Sequence, residues 1–345
     1  MKYSRLGKTG LKIPQIIFGT SALGNLYRTH TYNTKLEIVS ECFKNVQHPV
    51  FDSAGKYGAG LALEMLGKCL FQLNINPEDI IISNKLGWMR TELKTSEPTF
   101  EQGVWFGLKH DAVQKISYNG IIECFDQGNE LLGETYKPQL LSVHDPDEYI
   151  NQGKNPEEKE TLFADILEAH RALADLKKQG KARAIGIGSK DWTIINKVID
   201  RVELDWVMFA NSLTIMNHPP ELLALIEKLY ERGVTIINSA VFHGGFLTGS
   251  DYYDYRLITQ ESDGPKFQWR TTFYALCEKY KVAPSVACVN FGMTPPGVTA
   301  ISLNTSNPNR VKENVESVLA KVPKRFYAEM VNKGLISKEY PYLDL

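Results

Sequence analysis

The chain has 345 residues, 43% of them apolar and 23% charged, and a formal net charge of −1. That balance builds a core and leaves no basic footprint for nucleic acid or for an acidic membrane surface. No stretch is apolar for long enough to span a bilayer, and the opening MKYSRLGKTGLKIPQ lacks the pattern of a secretion signal, so a cytoplasmic protein is expected. Five scattered cysteines, Cys42, Cys69, Cys124, Cys277 and Cys288, occur without CxxC or HxxxH spacing. They point to reduced core thiols, with no disulfide framework and no metal site.

Short β-branched runs alternate with helical patterns from end to end. The runs are QIIFGT (15–20), PVFDS (49–53), DIIISNK (79–85), QLLSVHD (139–145), RAIGIGS (183–189), DWVMFAN (205–211), GVTIINSA (233–240) and GVTAISL (297–303). Each is apolar without alternation, as strands buried on both faces of a parallel sheet are. Between them, Leu162, Phe163, Ile166, Leu167, Leu173 and Leu176 recur at helical spacing, with Lys177 and Lys178 in the last turn and Gly180 as the stop. PPELLALIEKLYERG repeats the arrangement, with Pro219 and Pro220 at its start and Gly233 past its end. Eight such units match a closed (β/α)₈ TIM barrel, α/β in class and a single domain over residues 1–345; an open doubly wound sheet is the alternative that the pattern leaves. Two long connections, residues 86–120 and 242–265, follow strands and so belong at the C-terminal mouth, where long loops usually have a function.

Four residues stand at or just after consecutive strand ends: Asp52, Tyr57 in the loop FDSAGKYGAG, Lys85 and His144. In a barrel they share one rim. Any one of them alone reads as an ordinary loop or strand-end residue; the joint pattern reads as one site. A free tyrosine titrates near about 10 and is a poor acid or base at neutral pH, whereas a neighbouring ammonium favours its phenolate. A carboxylate would orient the lysine, and a neutral imidazole could hold a substrate oxygen, so the set can trade a proton as a hydride moves.

FDSAGKYGAG, ISNKLG and SVHDPDEY together resemble the aldo-keto reductase superfamily, and the likeness runs over essentially the whole chain. It implies an NAD(P)-dependent oxidoreductase in which Asp52, Tyr57, Lys85 and His144 form the catalytic tetrad, with Tyr57 as the acid or base. YSRLGKTGLKIPQIIFGT resembles the family's N-terminal β-hairpin, which closes the barrel floor. No GxGxxG joins an early strand to a helix, so a Rossmann reading is weak. Carried over by position, the cofactor residues are Ser189, Asn211, Asn238, Ser239, Gly244, Gly245, Asn304, Thr305, Arg310 and Asn314. The family's Ser-Asn pair is not intact at Ser189, and Asn238 and Ser239 replace its aromatic-Ser pair, so the usual ring stacked on the nicotinamide is missing. Members that grip the NADP 2′-phosphate commonly carry a lysine about where Asn304 stands; with Arg310 kept, the balance favours NAD over NADP.

HDAVQKISYNGIIECFDQ, SVACVNFGMTPPGVTAI and VPKRFYAEMVNKGLI resemble the sugar 1-dehydrogenase branch, the D-threo-aldose, L-fucose and L-galactose dehydrogenases. The resemblance implies oxidation of an aldose at C1 to the lactone. Trp88, Trp105, Tyr118 and His243 are the candidates for stacking and hydrogen bonding to a sugar, or else pack the mouth loops down. The rival readings are an NADPH-dependent aldehyde or ketone reductase and a cofactor-binding regulatory subunit. The expected partner is a small sugar or carbonyl compound, and a homo-oligomer is compatible with the sequence.

Overall fold

The computed structural model describes residues 1–254 and 256–344. Tyr255, inside the second long connection, and Leu345, the end of the expected domain, lie outside the described residues.

Eight parallel strands close into a barrel in chain order: β1 (Ile16–Gly19), β2 (Val50–Ala54), β3 (Ile81–Leu86), β4 (Leu140–His144), β5 (Ala184–Ser189), β6 (Trp206–Ala210), β7 (Thr235–Ser239) and β8 (Val298–Leu303). All eight coincide with the apolar runs read from the sequence, and closure decides against the open sheet. The N-terminal hairpin pairs Tyr3–Arg5 with Lys12–Pro14. Its buried Leu6, Leu11 and Ile13 pack against Ile17, Val50, Leu140 and Trp206, so the hairpin plugs the barrel floor. Trp206 fills that floor because β5 offers Gly186 opposite it; a Cβ there would come within 2.6 Å of the indole. Outside the barrel, a continuous apolar layer joins the strands to the surrounding helices. All five cysteines are buried and unpaired.

The helix read from Leu162 onward begins earlier, at Pro156, and runs to Lys178. Its first turn is the charged stretch PEEKE, which carries no apolar period, but Asn155 caps it by accepting from the Glu158 amide at 2.8 Å. Gly180 follows in the left-handed region, at φ 74°. The first long connection contains an antiparallel hairpin, Trp88–Glu92 with His110–Gln114, whose tip carries residues 93–109 over the mouth. The second contains a short helical turn, Phe246–Thr248, and the paired dipeptides Tyr252–Tyr253 and Arg256–Leu257, before a helix begins at Gln260. Among the described residues, no helix is long and apolar enough to cross a membrane.

Candidate active site

Sheet register gathers the site. Asp52 pairs with Ser83, Ala54 with Lys85, Lys85 with Ser142 and His144 with Gly188, so the side chains of three neighbouring strands emerge together at the C-terminal rim. They open into a cavity of about 510 Å³. Lys85 and Asp52 are both buried and form an ion pair. The Lys85 ammonium lies 4.6 Å from the centre of the Tyr57 ring, and the His144 ring meets Tyr57 edge-on at 5.7 Å. The four residues therefore converge.

Their electrostatics differ in one respect from the sequence expectation. Burial pushes the Tyr57 phenol well above its ordinary value, the Asp52, Asp145 and Glu101 carboxylates add to the rise, and the Lys56 ammonium opposes it. Desolvation, which no spacing in the sequence reveals, outweighs that cation, and the resting phenol is a proton donor. Burial holds His144 well below the usual imidazole range despite the neighbouring Asp145, so its ring is neutral. Among the described residues, His144 Nδ1, Asp52 Oδ1 and Asn211 Oδ1 are buried without a hydrogen-bond partner on residues that line the cavity. A polar ligand would satisfy them.

Of the residues assigned to the cofactor, Ser189, Asn211, Ser239, Gly244, Gly245, Asn304, Thr305, Arg310 and Asn314 line the cavity, along the ends of β5 to β8. Gly244 and Gly245 sit at φ 68° and 98°. A side chain at Gly244 would come within 3.2 Å of the Tyr252–Asp254 backbone, so the loop needs glycine to turn there. Ser189 donates to Asp147 at 2.6 Å. Burial and the nearby Asp145 raise the Asp147 carboxyl from 3.8 to about 6, against the Ser189 hydrogen bond and the Lys190 charge. The neutral amides and hydroxyls, the unpartnered Asn211 oxygen and the two glycines fit a nicotinamide dinucleotide laid along this side.

Four assignments are corrected. Asn238 faces away from the cavity: its amide donates to the Leu213 and Gly292 carbonyls, at 2.9 and 3.0 Å, and ties β7 to the outer layer. Trp88 is buried under the mouth hairpin with Phe100. Tyr118 donates to Asp175 at 2.9 Å and packs under the Arg171 guanidinium, on helices outside the barrel. His243 is fully buried, bonded to Thr214 at 2.7 Å and paired with Asp254 at 2.9 Å, and it stacks on Tyr253. It clasps the loop after β7 and does not line the cavity. Only Trp105 of the substrate candidates lines the cavity.

The structure adds residues that the sequence reading missed. Tyr27 and Phe242 bring aromatic rings to the lining although Asn238 does not, and Lys56, Glu101 and Asp145 bring charge. Arg28 reaches Ser306 at 3.1 Å, beside the cofactor segment after β8. The signal for Lys56 was present: it sits next to Tyr57 and cannot leave the rim.

A closed parallel barrel that gathers a tyrosine, a lysine–aspartate pair and a neutral histidine at one rim, beside a polar trench, has the architecture of an NAD(P)-dependent oxidoreductase. The sequence profile of the Aldo/keto reductase family matches residues 15–334, and the chain belongs to that family. Among curated relatives it is 27% identical to pyridoxal 4-dehydrogenase of Microbacterium luteolum, over 96% of this chain and 97% of that one. It is 24% identical to D-threo-aldose 1-dehydrogenase of a Pseudomonas species, over 95% and 96%. It is 26% identical to L-galactose dehydrogenase of Arabidopsis thaliana, over 91% and 86%. The fold is similar to that of a holo-form aldo-keto reductase of Bacillus halodurans, with a TM-score of 0.67, 20% identity and 99% coverage of both chains. It is also similar to the glycerol dehydrogenase of Gluconobacter oxydans, with a TM-score of 0.70, 16% identity and coverage of 99% and 98%.

Proposed function

We propose that this enzyme oxidises the cyclic hemiacetal of an aldose at C1 to the lactone, with Tyr57 as the proton acceptor and NAD as the cofactor. The observation that carries the reading is the Lys85–Asp52 pair lying beneath the Tyr57 ring, with His144 across from it at the cavity floor. Two of the relatives are named for aldoses, and the third acts on pyridoxal; all are aldehydes with a hydroxyl placed to close onto the carbonyl.

The bound nicotinamide would supply the acceptor for the hydride leaving C1. Tyr57, as the phenolate whose charge the Lys85 ammonium offsets, takes the proton of the anomeric hydroxyl in the same step and becomes the phenol. Asp52 holds that ammonium in place. His144, neutral, bonds the anomeric oxygen and orients it toward Tyr57. Because burial raises the phenol, proton uptake calls for alkaline conditions, and oxidation should rise with pH where the reverse reduction does not. Asn304 is a neutral amide, which supports NAD; Arg28 and Arg310 stand near the same segment, so NADP belongs in the assay beside it.

A panel of free aldoses, pyridoxal and simple aldehydes, followed by nicotinamide absorbance with both cofactors and in both directions, tests the reading. Turnover of an aldose with lactone as product supports it. Carbonyl reduction alone, with NADPH alone, would replace it.

A further inference from the structure

Beside Tyr57 the cavity wall is a network of five charges, of which Lys56, Asp145 and Glu101 bias the phenol while none belongs to the tetrad. Lys56, buried, donates to Asp145 Oδ2 at 2.7 Å and to Glu148 Oε1 and Oε2 at 2.9 and 2.7 Å, and it forms an ion pair with Glu101 Oε1 at 2.8 Å. Lys190 pairs with Glu148 at 2.5 Å and stands 3.9 Å from Glu101. Three carboxylates thus face two ammonium groups, and the wall carries an excess of one negative charge. Of the three acids, Glu101 and Asp145 line the cavity.

Glu101 reaches it from the tip of the mouth hairpin. Its second oxygen, Oε2, accepts from Trp105 Nε1 at 2.7 Å, and the Trp105 ring lies 5.8 Å from the ring of Tyr57. Glu101 is therefore held at both oxygens, Oε2 by the indole hydrogen bond and Oε1 by the Lys56 charge, and each keeps a lone pair for a further donor. Adjacent hydroxyls on a sugar ring donate in parallel to the two oxygens of one carboxylate, while an indole covers the ring's apolar face. The unpartnered, buried His144 Nδ1 on the same lining marks this end of the cavity as a place for a polar ligand.

We propose that Glu101 is the substrate-selecting residue: it accepts hydrogen bonds from hydroxyls of a polyhydroxylated substrate, and it disfavours substrates that carry a carboxylate or phosphate. The choice of aldoses as that substrate rests on the proposed function; the selection of hydroxylated over bare aldehydes does not.

The test compares the parent holoenzyme with Glu101→Gln on paired substrates. One pair is a neutral aldose and its uronic acid in oxidation; the other is glyceraldehyde and propanal in reduction. The expected loss falls on KM for the neutral, hydroxylated member. The ratio of kcat/KM for aldose over uronate drops about tenfold, and so does the ratio for glyceraldehyde over propanal. Trp105→Phe, which keeps a ring and removes the donor that aims Glu101, moves both ratios the same way by less, and serves if the first variant does not fold. Equal losses on both members of each pair would show Glu101 to be a loop staple only and would overturn the proposal. If the parent oxidises no aldose yet favours glyceraldehyde, and Glu101→Gln erases that preference, the selection stands and the dehydrogenase reading falls. A parent that does not favour the hydroxylated aldehyde overturns the selection itself.

Discussion

The two halves of the barrel mouth solve different problems. Over the ends of β2 to β4 the side chains are charged and paired: Lys85 with Asp52, Lys56 with three carboxylates. Over β5 to β8 most of them are neutral amides and hydroxyls with two left-handed glycines, and the charges on the lining are Lys190 after β5 and Arg310 and Glu313 after β8. The first half must move a proton, which needs fields that do not relax, and buried ion pairs provide them. The second must lie close along an extended ligand, which needs small residues and many weak donors. A mutation should therefore fail in kind according to its side: in the chemical step on one, in ligand binding on the other.

The sharpest way to break this contrast is Tyr57→Phe. It should lower kcat by about 10²- to 10⁴-fold, while cofactor binding, followed by fluorescence quenching, hardly changes. A variant that lost cofactor affinity instead would merge the two halves. Lys85→Met comes next, because it leaves Asp52 as an unpaired buried carboxylate. Loss of a buried partner costs about 3–5 kcal/mol, so thermal stability and kcat should fall together. The pH limb of oxidation should also move upward, since a cation favouring the phenolate is gone.

Asp147 lies on the seam, buried under Ser189, and tests whether the second half is as neutral as it looks. Its pKa in the fold is raised from 3.8 to about 6, so the folded state binds its proton more tightly than the unfolded one. The group therefore subtracts stability as pH rises through that window, and the penalty is complete above it. Asp147→Asn has no such proton; relative to the parent it should gain stability as pH rises, by about 3 kcal/mol at most. Melting temperatures from pH 4 to 7 check this, and a constant difference would refute it. The smallest effect is expected from Asn304→Lys. A cation added on the dinucleotide side should shift the NADP-to-NAD ratio of kcat/KM about tenfold toward NADP with the tetrad untouched.

The same contrast explains what could be read from the chain. The eight strands were legible because a strand buried on both faces must be apolar throughout, and Asp52, Lys85 and His144 were legible because they interrupt or end such runs. The plug of the barrel floor, by contrast, came from resemblance. The mouth was less legible. Trp88, Tyr118 and His243 stand in or beside the long loops, but sequence position does not say whether a ring turns to a cavity or under its own loop. Lys56 and Glu101 are passed over in the sequence reading because their partners are up to 92 residues away. Asn238 was misplaced for the opposite reason: its position on β7 was right, but alternate residues of a strand face opposite sides of the sheet, and its amide serves the loop after β6 and the helix that ends at Gly292.

The hairpin Trp88–Gln114 interrupts the chain between Lys85 and His144, yet neither residue depends on it for position, since both are held by strand register. Segments of this kind can be exchanged wholesale. An engineer who replaced residues 93–109 with another loop, while supplying a new anion for Lys56, would expect to redirect the catalyst to a different molecule without rebuilding the machinery that handles its proton.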